Sequence, residues 1–168
     1  NETLECWQIA LESNNTPSAI ALSRQKVPYI NPDNSKKNKC KNGAYLVNLT
    51  SHESKVTLIA SGTEVELALK VQDKLKENNI HSKVVSMPCM ELFDKQSEDY
   101  KKDLLEEDSL VVTLEAGSIS SWQKYIKDKG LNFGIDQFGE SAPYKEVYDH
   151  FNLTEEKITV LIQKKLRE

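Results

Sequence analysis

The sequence holds only three cysteines in 168 residues, Cys6, Cys40 and Cys89, and no C-x-x-C. An odd, widely spaced set argues against a disulfide scaffold and against a structural zinc site. The three histidines, His52, His81 and His150, show no ligand spacing either. No apolar run approaches the roughly 18 residues of a membrane span, and Asn1-Glu2-Thr3 does not open a signal peptide. Basic excess is missing: 22 Lys and Arg against 26 Asp and Glu leave a net charge of −4, which excludes a general nucleic-acid binder. Walker, G-x-G-x-x-G and RNA-binding signatures are absent. These absences leave a globular protein expected to be soluble and cytoplasmic.

What is present is an alternation of strands and helices. A chain of this length suits one domain with room for part of another, and buries roughly 70% of its unfolded surface without a staple. Leu4, Trp7 and Leu11 share one helical face over residues 2–13. Asn14, Asn15 and Pro17 stop that helix, and Ala19-Ile20-Ala21-Leu22 has the length of a buried strand. From 26 to 43 prolines, asparagines and lysines dominate, which predicts a linker. Strands are then expected at 44–47, 56–60, 83–87, 109–114 and 131–135. A helix with Val65, Leu67, Ala68, Val71 and Leu75 follows Ser61-Gly62-Thr63, and a polar helix runs from Asp94 towards Leu105. Gly117 opens another, with Ile119, Trp122 and Ile126 on one face. Pro143 suits a first helical position, and Thr154 caps a last helix over 155–165. Such spacing predicts an α/β fold: a mostly parallel sheet over 44–168 with helices on both faces, preceded by a helix-strand remnant of a second α/β domain. No internal repeat is visible.

In an open parallel sheet ligands sit beyond the carboxyl ends of the strands. The loops there supply Ser61, Gly62, Thr63, Glu115, Gly117, Gly139 and Ser141, small or hydroxyl-bearing residues near helix N-termini that suit an anion. Ser61, Thr63 and Ser141 serve equally as helix caps. Glu115 and Glu140 each follow a strand and could converge as an acid and base, or stay surface carboxylates. Cys89 follows Pro88 with no Cys–His signature, so it reads as a packed thiol rather than a nucleophile. The lysines between 36 and 41 read as a solvated linker. Arg24 ends the 19–22 strand, where its planar fork could grip a phosphate or carboxylate, or make a surface salt bridge.

Several stretches, taken in order, resemble transketolase. They are Glu2-Thr3 with Trp7, Ala21-Leu22-Ser23-Arg24-Gln25, Ala60-Ser61-Gly62-Thr63-Glu64-Val65 and Val84-Val85-Ser86-Met87-Pro88. Phe93-Asp94-Lys95-Gln96, Glu115-Ala116-Gly117 and Phe138-Gly139-Glu140-Ser141-Ala142-Pro143 continue the match. The blocks around Met87 and Gly139 favour transketolase over deoxyxylulose-phosphate synthases and 2-oxoacid dehydrogenase β subunits. The resemblance implies the end of a pyrimidine-binding domain over 1–25, a linker over 26–43, and the family's C-terminal α/β domain over 44–168. It implies a homodimeric, cytoplasmic enzyme of the pentose phosphate pathway that moves a two-carbon ketol unit between sugar phosphates. Thiamine diphosphate with Mg²⁺ or Ca²⁺ would be its cofactor, and Arg24 its substrate-phosphate ligand. The family's metal segment, activating glutamate and catalytic histidines have no counterpart here, so this chain alone is expected to be inactive and to bind no cofactor. The loop residues from Ser61 to Ser141 would then form a separate regulatory crevice. A stand-alone, non-catalytic binding or assembly module is the alternative.

Overall fold

A computed structural model describes residues 1–30, 37–51, 53–106, 108–126 and 129–168. Helix α1 (Glu2–Glu12) is followed by β1 (Tyr45–Leu49), β2 (Val56–Ala60), α2 (Glu64–Glu77), β3 (Ser82–Ser86), α3 (Met90–Asp94) and α4 (Glu98–Leu105). Then come β4 (Leu110–Leu114), β5 (Leu131–Phe133), α5 (Tyr144–His150) and α6 (Glu155–Lys165). The five strands form one sheet in the order β1-β3-β2-β4-β5. β3, β2, β4 and β5 run parallel, and β1 closes one edge antiparallel to β3, with a register shift between Leu46 and Asn48. The expected α/β architecture is therefore present.

Alternation along the strands divides the core in two. Val56, Leu58 and Ala60 of β2 face α2 and α6, where they meet Leu67, Val71, Leu75, Ile158 and Ile162. Ile59 of β2 and Val85 of β3 point the other way, onto Phe93, Leu104, Trp122 and Tyr125. Every residue of β2 and β3 is buried, and β2 accordingly reads as a short, mainly apolar run rather than a polar–apolar repeat. Thr154 caps α6 as expected, accepting from the Lys157 N–H.

Four expectations need correction. Ala19–Leu22 forms no strand: a strand exists only with a ladder partner, none of the described strands pairs with it, and Leu22 is exposed. The helix expected from Gly117 is reduced to one 3-10 turn at Gln123–Tyr125. Its serines turn the backbone aside: Ser118 Oγ accepts from the Ser120 N–H, and Asp136 accepts from the Ile119 N–H. The polar helix expected from Asp94 begins only at Glu98, as α4, where Ser97 caps it by accepting from the Tyr100 N–H at 3.3 Å, and Asp94 instead ends the separate helix α3. Pro143 lies just before α5 rather than inside it.

Within the expected linker, residues 31–36 lie outside the described residues, and Lys39–Asn42 is a 3-10 turn with Cys40 buried at its centre. Gly43 ends that turn at φ +80°, a conformation glycine adopts without strain. A Cβ there would lie 2.2 Å from the Phe93 nitrogen and 2.3 Å from the Cys89 oxygen, so the α3 backbone demands glycine twice over.

Candidate functional site

The connection leaving β2 runs to β3 on one side, whereas that leaving β4 runs to β5 on the other. The gap between β2 and β4 is thus the topological switch point, the place where parallel sheets open a crevice. Ser61 directly follows β2 and Glu115 directly follows β4, and the Ser61 hydroxyl donates to Glu115 Oε2 across the gap at 3.1 Å. A crevice of about 450 Å³ opens here, walled by Ser61, Pro88, Cys89, Glu91, Glu115 and Gly117 among others.

Of the seven crevice residues expected from the sequence, the fold brings Ser61, Glu115 and Gly117 together. Gly62 turns away at φ +52° towards the Ser23 hydroxyl and lines a different cavity. Thr63 caps nothing with its side chain; its hydroxyl donates to Glu64 Oε1 at 2.8 Å. Gly139 and Ser141 are exposed, outside the crevice wall, and Gly139 has open space around it.

Burial raises the Glu115 carboxyl above the usual carboxylate range, and the charge of Glu64 adds to this; Ser61 and the Trp122 side chain pull it partly back. Of the two readings of Glu115 and Glu140, Glu140 follows the surface one: it is exposed, outside the crevice wall. The carboxylate near Glu115 is instead Glu64, buried in the first turn of α2 and holding the hydroxyls of Thr63 and Tyr148. Sequence reasoning missed it: an acidic residue in a first helical turn complements the helix dipole on any surface, and its only distinctive signal is a tyrosine 84 residues away. With Glu91 and Glu115 in its wall the crevice is acidic, so it favours a cation or a hydrogen-bond donor over the anion its loops suggested. Cys89 lies beside the Glu91 carboxylate at 3.4 Å, and burial pushes its thiol up, the reverse of an activated nucleophile.

Arg24 is exposed, and none of the ion pairs among the described residues includes it. Its neighbours Ser23 and Gln25 line a second cavity of about 460 Å³, between α1, residues 21–30 and the start of α2. Lys37 and Lys39 also reach that cavity, whereas Lys36 and His52 lie outside the described residues. Among the described residues no group of three or more His, Cys, Asp and Glu is placed to hold a metal ion, and no helix is long and apolar enough to cross a membrane.

α1 presents an unusual surface. Leu4 is 75% exposed, Trp7 49% and Leu11 76%, the same three residues that the helical spacing placed on one apolar face. In a finished fold such a stripe is covered.

Residues 43–154 match the family described as transketolase-like TK C-terminal domain. The chain is 38% identical over 168 residues to a transketolase of Rhodobacter capsulatus, covering 96% of this chain and 25% of that protein. It is 40% identical over 161 residues to a chloroplastic transketolase of Solanum tuberosum, covering 94% and 22%. Among solved structures, a Pichia stipitis transketolase in complex with sedoheptulose 7-phosphate superposes with a TM-score of 0.89 at 32% identity, over 99% of this chain and 24% of that one. A Campylobacter jejuni transketolase gives 0.86 at 39% identity, over 97% and 24%. The chain spans about a quarter of the length of the curated relatives it matches.

Proposed function

The chain belongs to the transketolase family, and from that membership we propose that it works as the C-terminal portion of an enzyme moving a two-carbon ketol unit between sugar phosphates. The observation that carries the reading of a portion is the uncovered apolar face of α1, joined to a 19–22 segment with no strand partner. Both features suit elements whose packing surfaces belong to further domains of the same enzyme.

In this reading residues 1–25 end the pyrimidine-binding domain, 26–43 connect, and 44–168 form the C-terminal domain. Arg24 grips the phosphate of the sugar substrate. Its exposed guanidinium offers two parallel donors, and phosphate binding far from the reacting carbon supplies positioning energy for the transfer. The C-terminal domain supports the homodimer. Thiamine diphosphate with Mg²⁺ or Ca²⁺ is the cofactor of the whole enzyme. The described residues do not fit that group: they offer no metal-ligating cluster, and the crevice wall carries carboxylates that repel a diphosphate. The crevice at Ser61, Glu115 and Gly117 is a separate regulatory site for a small cationic or donor-rich ligand. A cytoplasmic location fits the cysteine pattern, and the chloroplastic relative names the organelle that would replace it.

The reading is tested by assaying the 168-residue chain with xylulose 5-phosphate, ribose 5-phosphate, thiamine diphosphate and magnesium. No ketol transfer is expected from the chain alone, and transfer when it is joined to the remaining domains. Turnover by the isolated chain would overturn the assignment.

A further inference from the structure

The cysteines look unrelated in sequence, yet the fold brings two of them together. Cys6 lies on α1 one turn after Glu2, and Cys40 is fully buried in the 3-10 turn Lys39–Asn42. Helical residues four apart share a face, with the later side chain leaning back over the earlier turn. Cys40 docks on that face. Its thiol approaches the Glu2 carbonyl at 3.9 Å, and its backbone N–H donates to Glu5 Oε2 at 3.1 Å. The Lys39 N–H donates to the same carboxylate oxygen at 2.6 Å, so main-chain groups fix the turn against the helix. This seats the Cys40 thiol against the α1 turn that carries Cys6, near enough for each thiol to shift the other's titration. Both thiols are free, and Cys6 is only half-buried, which leaves it open to a small oxidant.

We propose that Cys6 and Cys40 are a redox modification site, a dithiol that closes to an intramolecular disulfide when a peroxide reaches it. The Cys6 sulfur attacks one peroxide oxygen, the O–O bond breaks, and Cys6 becomes a sulfenic acid with release of one water. The Cys40 sulfur then attacks the Cys6 sulfur, and the S–O bond breaks. The hydroxide leaves as a second water with the Cys40 proton. Two thiols lose two electrons in all, and one hydrogen peroxide becomes two waters. A dithiol reductant reverses the change.

The order follows from exposure: Cys40 is fully buried and Cys6 only half-buried, so a peroxide reaches Cys6 first. The neighbouring Cys40 thiol also holds Cys6 below its ordinary range. Burial and the Glu2 and Glu5 carboxylates oppose this, which suits a site answering sustained oxidation rather than a fast peroxidase. Cys89 differs: its side chain donates to a carboxylate, not to a second sulfur, so it has no resolving partner. Closure ties α1 to the turn preceding β1. The loop so closed includes Arg24, but the disulfide does not depend on the role proposed for that residue.

The test needs no variant. The folded 168-residue chain is exposed to hydrogen peroxide, remaining thiols are alkylated, and linkages are mapped by mass spectrometry. The free-thiol titre falls from three per chain to one, Cys6 and Cys40 appear in one linked species, Cys89 remains alkylated, and dithiothreitol restores all three. C89S gives the same linkage. A titre that stays at three, Cys6 oxidised to the sulfinic acid without a link, or a linkage through Cys89 overturns the proposal.

Discussion

Ser61 and Glu115 join the carboxyl ends of β2 and β4: the serine hydroxyl donates to Glu115 Oε2 at 3.1 Å where the two strands' connections diverge. Neither residue caps a helix with its side chain. The bond holds a carboxylate in a place where burial and Glu64 disfavour its charge.

That arrangement has a pH signature. A carboxyl raised in the folded state means that the folded chain holds its proton more tightly than the unfolded chain does. Its contribution to stability is present below the ordinary carboxylate range and is lost as pH rises through the raised value. Glu115→Gln keeps an acceptor for Ser61 without the charge. Thermal melts should show E115Q more stable than the parent near pH 7.5, with the difference shrinking at about pH 4, where the free carboxyl is itself largely protonated. An E115Q melt below the parent at both pH values contradicts the account.

Gly43→Ala should be among the most damaging single substitutions. It combines a left-handed backbone with a Cβ pressed onto two α3 backbone atoms, neither of which is the end of a flexible side chain. Urea unfolding at 25 °C should register a loss of about 3 kcal/mol or more. A loss under about 1 kcal/mol means that α3 moves aside.

The α1 stripe separates the part from the whole. Trp7→Ser should change the stability of the 168-residue chain by no more than about 0.5 kcal/mol, because much of the ring is already in water. In the enzyme with its remaining domains the same substitution removes a packed aromatic and should lower the melting temperature by several degrees, about 4 °C or more. Equal effects in both settings contradict the covered face.

Much of this molecule is legible in the sequence because its information is local. β2 announces itself as a short apolar run, the last helix through its periodicity and Thr154, and the order of strands and helices predicts the sheet. What is not legible depends on partners distant in the chain. Ala19–Leu22 has the composition of a strand but lacks a ladder. The apolar spacing of Ile119, Trp122 and Ile126 is sound, and Trp122 is indeed buried, yet Ser118 and Asp136 bond the Ser120 and Ile119 N–H groups and the chain closes only the 3-10 turn Gln123–Tyr125. Glu64 is buried because Tyr148 arrives from α5, and Cys6 meets Cys40 because a turn of the expected linker docks on α1. At the crevice, the strand ends located Ser61, Glu115 and Gly117. The charge of its wall depends on Glu91 of α3, which the reading of the strand-end loops did not include.

Arg24 carries the most direct test of the functional account. Arg24→Ala is made in the enzyme comprising this chain and its remaining domains, and ketol transfer is measured to phosphorylated and unphosphorylated acceptor sugars. Losing a two-pronged guanidinium–phosphate contact removes about 1.5–3 kcal/mol, so KM for the phosphorylated sugar should rise roughly ten- to a hundred-fold. KM for the unphosphorylated sugar should not move. Unchanged KM for both sugars, or an equal rise for both, would contradict the assignment of Arg24 to the substrate phosphate.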